Sequence, residues 1–162
     1  MIDEAILAAV AHEVKTPLAV LRGYAELLAN GRDGRILREA PAAILEASQR
    51  LAPAVDDLLL ALEIESGLET DFESLDLAEL VPNGNETLSV TGDARLLERA
   101  VEILGAESRG VSVTVANGVA TVVAGEARRN ELELYVARLI AQAHGGELRE
   151  SSTGLAMMLP LA

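Results

Sequence analysis

Leu7-Ala8-Ala9-Val10-Ala11-His12-Glu13-Val14-Lys15-Thr16-Pro17-Leu18-Ala19-Val20-Leu21 carries Leu7, Ala11, Val14, Leu18 and Leu21 at alternating steps of four and three. Ala25 and Leu28 continue the series. That is a heptad stripe, and it predicts one helix from about Asp3 to Ala29. Asn30-Gly31 stops the helix, and Asp33-Gly34 extends the loop. A second stripe follows at Leu37, Ile44, Ser48, Leu51, Val55, Leu58 and Leu62, and Gly67 ends it. Pro41 falls in this series. It is expected in or near the first turn, where its missing N–H costs little. Pro53 lies deeper and should kink the helix.

Two helices joined by a short loop make an antiparallel hairpin. A lone hairpin buries two such stripes poorly. Pairing with a second copy as a four-helix bundle solves this, and packing onto the C-terminal half is the alternative. The stripes last the full length of both helices, which favours the homodimer.

Beyond Gly67 the pattern changes to short apolar runs separated by turn signals. The expected strands are Phe72–Leu75, Leu88–Thr91, Val111–Ala116, Ala120–Ala124, Glu147–Ser151 and Leu155–Leu159. Asn117-Gly118 between two alternating runs is a hairpin signal. One helix should follow Gly92-Asp93 with Asp93 as N-cap. Another should start at Asn130, whose partner Glu133 gives a capping box, and end at His144-Gly145-Gly146. The fold class is therefore α+β. Residues 1–67 form a helical-hairpin dimerisation unit, and residues 68–162 form a small α/β sandwich.

Composition narrows the function. The chain has 162 residues, 50% hydrophobic and 24% charged, so it should fold. It contains no Cys and no Trp, which excludes disulfides, thiolate metal sites and a cysteine nucleophile. Its net charge of -13 repels phosphate backbones, and its 2% of aromatics gives no stacking platform for bases. Nucleic acid and anionic membrane surfaces are thus not expected partners. No apolar run reaches the ~20 residues of a bilayer span, and Met1-Ile2-Asp3-Glu4 lacks the basic region of a signal peptide. A soluble cytoplasmic protein is expected.

At about 100° per residue, His12 points roughly 150° away from the first stripe, onto the solvent face. Its neighbours at helical spacing, Ala5, Ala8, Thr16, Ala19 and Gly23, are small, so a partner can approach the ring closely. A neutral imidazole is a nitrogen nucleophile available at pH 7. Glu13 can bond one ring nitrogen and sharpen the other. Lys15 can neutralise a transferred phosphoryl group. The bland alternative is a solvated histidine among charges. His144, before Gly-Gly at a helix end, reads as structural. Thr16 divides between local packing and orienting a water. No cluster has metal-ligand spacing.

His12-Glu13-Val14-Lys15-Thr16-Pro17-Leu18 resembles the phosphoacceptor box of sensor histidine kinases. Arg50-Leu51 and Val55-Asp56-Asp57-Leu58-Leu59 are similar to that family's second dimerisation helix. Asp76-Leu77-Ala78-Glu79-Leu80, Gly92-Asp93-Ala94-Arg95-Leu96 and Tyr135 through Gly146 resemble parts of its ATP-binding domain. The resemblance implies His12 as phosphoacceptor, with Glu13, Lys15 and Thr16 around it. The departures are as informative. Ile103 and Glu107 stand where the family carries asparagines for magnesium and nucleotide. Val123-Ala124-Gly125-Glu126 lacks the adenine-binding aspartate. Glu131-Leu132-Glu133-Leu134 replaces a glycine-rich segment, and its glutamates repel a triphosphate. The lid is only a few residues long, and Val81-Pro82-Asn83-Gly84 cuts the domain's first helix to a stub.

The resemblance therefore implies a reduced kinase-like domain that does not bind ATP. The leading expectation is a dimeric histidine phosphotransferase of a two-component phosphorelay. It would shuttle phosphoryl groups between receiver-domain aspartates of response regulators through His12, with no cofactor of its own. Ala5, Ala8, Ala19 and Gly23 would form the partner-binding patch, and magnesium would belong to the receiver. The alternatives are a non-catalytic adaptor or pseudokinase that binds receivers or kinases, and a histidine kinase with an atypical ATP site.

Overall fold

The computed structural model describes residues 4–30, 34–67, 69–81, 88–105, 111–125, 129–151 and 154–161. The chain divides into two compact units, Met1–Leu60 and Ala61–Ala162.

Unit 1 is the helical hairpin. Helix α1 spans Glu4–Asn30 and α2 starts at Gly34 and runs to Glu65, its last turn lying in unit 2. Gly34 thus belongs to the helix rather than to the loop. Pro41 is not in the first turn but two turns inside, on an exposed face. The apolar rhythm already includes Ile36 and Ala40, so the helix begins before the proline. At an exposed position the lost N–H and the displaced carbonyl can turn to water. Residues 31–33, on which the expected Gly31 stop and Asp33 loop signals fall, lie outside the described residues.

The apolar residues that unit 1 buries are small, and Asp57 is buried with them. Ala40, Ala47 and Ala54 are seven apart and buried, and Pro17 is the buried position on α1. The larger stripe residues stay open in the single chain: Leu7 is 57% exposed and Leu18 51%, with Leu37 and Val55 also exposed.

Unit 2 is a two-layer α/β structure. Strands β1 (Glu73–Asp76) and β2 (Ser89–Gly92) pair antiparallel, with the four-residue helix α3 (Leu77–Leu80) between them. Both strands begin one residue later than the sequence pattern suggests. Asp76 sets the end of β1. Its carboxylate accepts from the N–H groups of Ala78 and Leu88, so it closes the strand and starts α3 together. Helix α4 (Ala94–Gly105) follows, then β3 (Val111–Ala116), β4 (Val119–Ala124), α5 (Glu131–Ala143), β5 (Glu147–Ser151) and β6 (Gly154–Pro160). The main sheet is antiparallel in the order β3-β4-β6-β5.

Alternate residues of the central strands, Ala120, Val122 and Ala124 with Leu155, Met157 and Leu159, are buried on one face. Leu96, Leu97, Ala100, Ile103 and Leu104 of α4 and Leu132, Val136 and Ile140 of α5 complete this core. Each large side chain so buried contributes about 1.5–3 kcal/mol. Asn117 at φ 54 and Gly118 at φ 77 make the tight turn that joins β3 to β4. In this unit Tyr135 donates to the Glu65 carboxylate at 2.6 Å, and Arg95 lies 3.6 Å from Glu63.

Candidate functional site

His12 sits on α1 with an exposed side chain, as its helical phase requires. It borders a groove of about 450 Å³ within unit 1. Glu13, Thr16, Pro17, Val20 and Tyr24 supply the α1 wall, and Ala43, Glu46, Ala47 and Arg50 supply the α2 wall. The groove exists because Ala43 and Ala47 take little room beside Pro17. The floor is apolar, and charged groups stand at its edge.

Two of the expected site residues, Glu13 and Thr16, line this groove with His12, whereas Lys15 is exposed and does not. Ala5, Ala8 and Ala19 are exposed on α1 but do not line it either. Gly23 is half-buried, and a Cβ there would meet nothing within 4 Å. Sequence reasoning missed Tyr24, Glu46 and Arg50. Heptad phase on one helix cannot show which residues the other helix brings alongside. The Glu46 carboxylate accepts from Arg50 at 2.8 Å. Both side chains are largely in water, so this pair is worth at most about 0.3–0.5 kcal/mol.

In unit 2 the described residues among those named for nucleotide chemistry serve the core and the helix ends. Ile103 is buried in the core, and Glu107, Glu126 and Pro82 to Gly84 lie outside the described residues. At the start of α5 the Asn130 side chain accepts from the Glu133 N–H at 2.8 Å, and the Glu133 carboxylate accepts from the Asn130 N–H at 3.0 Å. This capping box satisfies the first-turn donors from within the helix. Glu131 is exposed beside it. The Arg129 guanidinium donates to the Ile103 carbonyl at 2.8 Å and to the Leu104 carbonyl, capping the end of α4.

His144 is structural, through more than a helix dipole. Its ring is buried at the end of α5. Nδ1 donates to the Ile140 carbonyl at 2.7 Å, and Nε2 accepts from the Asp93 N–H at 3.0 Å. These two bonds set the neutral tautomer. Asp93 is the N-cap of α4, accepting from Leu96, and its other oxygen accepts from Asp71. Phe72 lies 5.2 Å from the imidazole, centroid to centroid. Among the described residues no three His, Asp or Glu side chains gather as a metal site, and no helix is long and apolar enough to cross a membrane.

An exposed histidine beside a glutamate, followed by a buried helical proline and fronting an interhelical groove, is the arrangement on which comparison with known proteins turns. Residues 4–67 match the His Kinase A (phospho-acceptor) domain. The match covers α1 and α2. The chain is 32% identical over 82 residues to the probable sensor histidine kinase TcrY of Mycobacterium tuberculosis, which is 50% of this chain and 17% of that protein. It is 40% identical over 76 residues to the sensor histidine kinase TrcS of the same organism, 44% of this chain and 14% of that protein. The chain thus spans less than a fifth of the length of either relative. Among solved structures, the fold is similar to that of the Acinetobacter baumannii histidine kinase AdeS. The TM-score is 0.71 at 17% identity, over 93% of this chain and 98% of that one. A helical hairpin followed by a small α/β unit is therefore a histidine-kinase-like architecture.

Proposed function

We propose that this chain is a dimeric histidine phosphotransferase of two-component signalling, with His12 as phosphoacceptor and receiver-domain aspartates as donor and acceptor. The observation that carries the reading is the exposed His12 at the edge of the groove within the phospho-acceptor domain. The ring is open to in-line attack, and the groove gives a partner a surface that fixes its approach. Glu13 lines the same groove as His12 and keeps a carboxylate in the site. The receiver supplies its own magnesium. The open residues Leu7, Leu18, Leu37 and Val55 are the surface on which a second copy closes a four-helix bundle.

The absence of ATP binding belongs to the same proposal. It is supported by Ile103 in the core, by the Asn130–Glu133 box with Glu131 beside it at the α5 N-terminus, and by Arg129 across the last α4 carbonyls. A helix start already capped and flanked by carboxylates disfavours phosphate. The second reading, a histidine kinase with an atypical ATP site, draws on the fold similarity to AdeS.

The test is incubation with phosphorylated receiver domains, followed by detection of acid-labile label on His12. His12→Gln should abolish the label and shift stability by less than about 0.5 kcal/mol, because the residue is exposed. Label retained by that variant moves the phosphoacceptor elsewhere. Label that instead requires ATP selects the second reading.

A further inference from the structure

We infer that Arg50 of α2 is a catalytic cation for phosphoryl transfer at His12, held in reserve by Glu46. This rests on the phosphoacceptor reading above. Phosphoryl transfer places negative charge on the oxygens around phosphorus, and an arginine fork is well suited to receive it. Arg50 is the one guanidinium or ammonium group among the described residues lining the groove, where Glu13 and Glu46 are both anionic. Lys15, the cation nearest His12 in sequence, is outside that lining.

The register of the hairpin puts Arg50 at the right height. Helix α1 ends at Asn30 and α2 starts at Gly34, so an antiparallel pairing counted inward from those ends sets Pro17 opposite Ala47, and both residues are buried and line the groove. In that register Arg50 lies level with Val14, two residues from His12, or about 3 Å along the axis at ~1.5 Å per residue. Glu46 lies one turn further from His12 than Arg50 does. The Arg50–Glu46 contact is 2.8 Å, with side chains 74% and 66% exposed. An exposed pair four residues apart is weak and readily exchanged. Glu46 therefore orders the guanidinium at rest without competing strongly against a dianionic phosphoryl group.

In the transfer, the lone pair of the unprotonated ring nitrogen of His12 attacks phosphorus. The bond to the aspartyl carboxylate breaks, and its electron pair leaves on that carboxylate. The ring then carries phosphoryl on one nitrogen and its proton on the other. Arg50 releases Glu46 and binds the phosphoryl oxygens during this step.

Potassium phosphoramidate, a small donor that needs no docking surface, provides the test on the full chain, beside a panel of phosphorylated receiver domains. With phosphoramidate the broken bond is P–N, and ammonia leaves. The initial rate of His12 labelling should fall about tenfold in Arg50→Gln with both kinds of donor. Arg50→Lys should recover part of it. Glu46→Gln, which frees the guanidinium from its resting partner, should raise the rate. Circular dichroism should show both glutamine variants folded, since both side chains are exposed. An unchanged rate in Arg50→Gln overturns the inference. So does a fall confined to receiver donors, which makes Arg50 a docking residue. Absence of label on wild-type His12 from every donor overturns the phosphoacceptor reading itself, and this inference with it.

Discussion

Gly92→Ala should destabilise unit 2 by about 3 kcal/mol. Gly92 is buried where the β2–α4 turn meets the end of α5. A Cβ there would stand 2.6 Å from Leu97 Cδ1, 2.8 Å from His144 Cδ2 and 3.0 Å from His144 Nε2. Leu97 is fully buried in the core and has nowhere to go. The imidazole must move, although it is held between the Ile140 carbonyl, the Asp93 N–H and the Phe72 ring. Inserting a methyl into a filled core costs about 1–3 kcal/mol. Leaving the Asp93 N–H without its acceptor costs about 1–3 kcal/mol more. The two are coupled, since the same ring movement relieves one and causes the other, so they do not add in full and a total of about 3 kcal/mol is expected. For a unit of this size, about 3 kcal/mol is a fall of roughly 10–20 °C in Tm. Thermal and urea unfolding followed by circular dichroism measure it. A loss below about 1 kcal/mol would refute the view that His144 and the Gly92-Asp93 turn form one filled, hydrogen-bonded joint.

Gly23→Ala is the converse case. A Cβ at this helical position meets nothing within 4 Å, so the variant should gain about 0.5–1 kcal/mol from helix propensity in the same melts. Leu18→Glu with Val55→Glu places charge on the open stripes of both helices, and should give monomers by light scattering where the wild type is dimeric at micromolar concentration. Titration calorimetry with magnesium and ATP should show no binding tighter than about 1 mM, or roughly −4 kcal/mol. Tighter binding removes the phosphotransferase reading in favour of the atypical kinase.

Much of the architecture was legible because its signals are short-range. The Asn130–Glu133 box, the left-handed Gly67 and Gly145, and the Asn117-Gly118 turn each depend on residues within about four positions. The outward phase of His12 needs only the helical repeat. The start of α2 was misjudged because a proline reads locally as a boundary, while the apolar rhythm of Ile36 and Ala40 carries the helix through it.

The amino-acid order by itself determined the hairpin, the alternation of strands and helices after it, and the outward phase of His12 on α1. Only the tertiary structure decided what stands next to that histidine. Tyr24, Ala43 and Arg50 line the groove with it because two helices pair, and helical phase on one chain segment carries no information about its neighbour's register. It likewise decided that His144 answers Asp93, 51 positions away, and that Arg129 answers Ile103 and Leu104. A hydrogen bond between neighbours along the chain is set by local backbone geometry. One between distant segments exists only once burial has removed water as the competing partner.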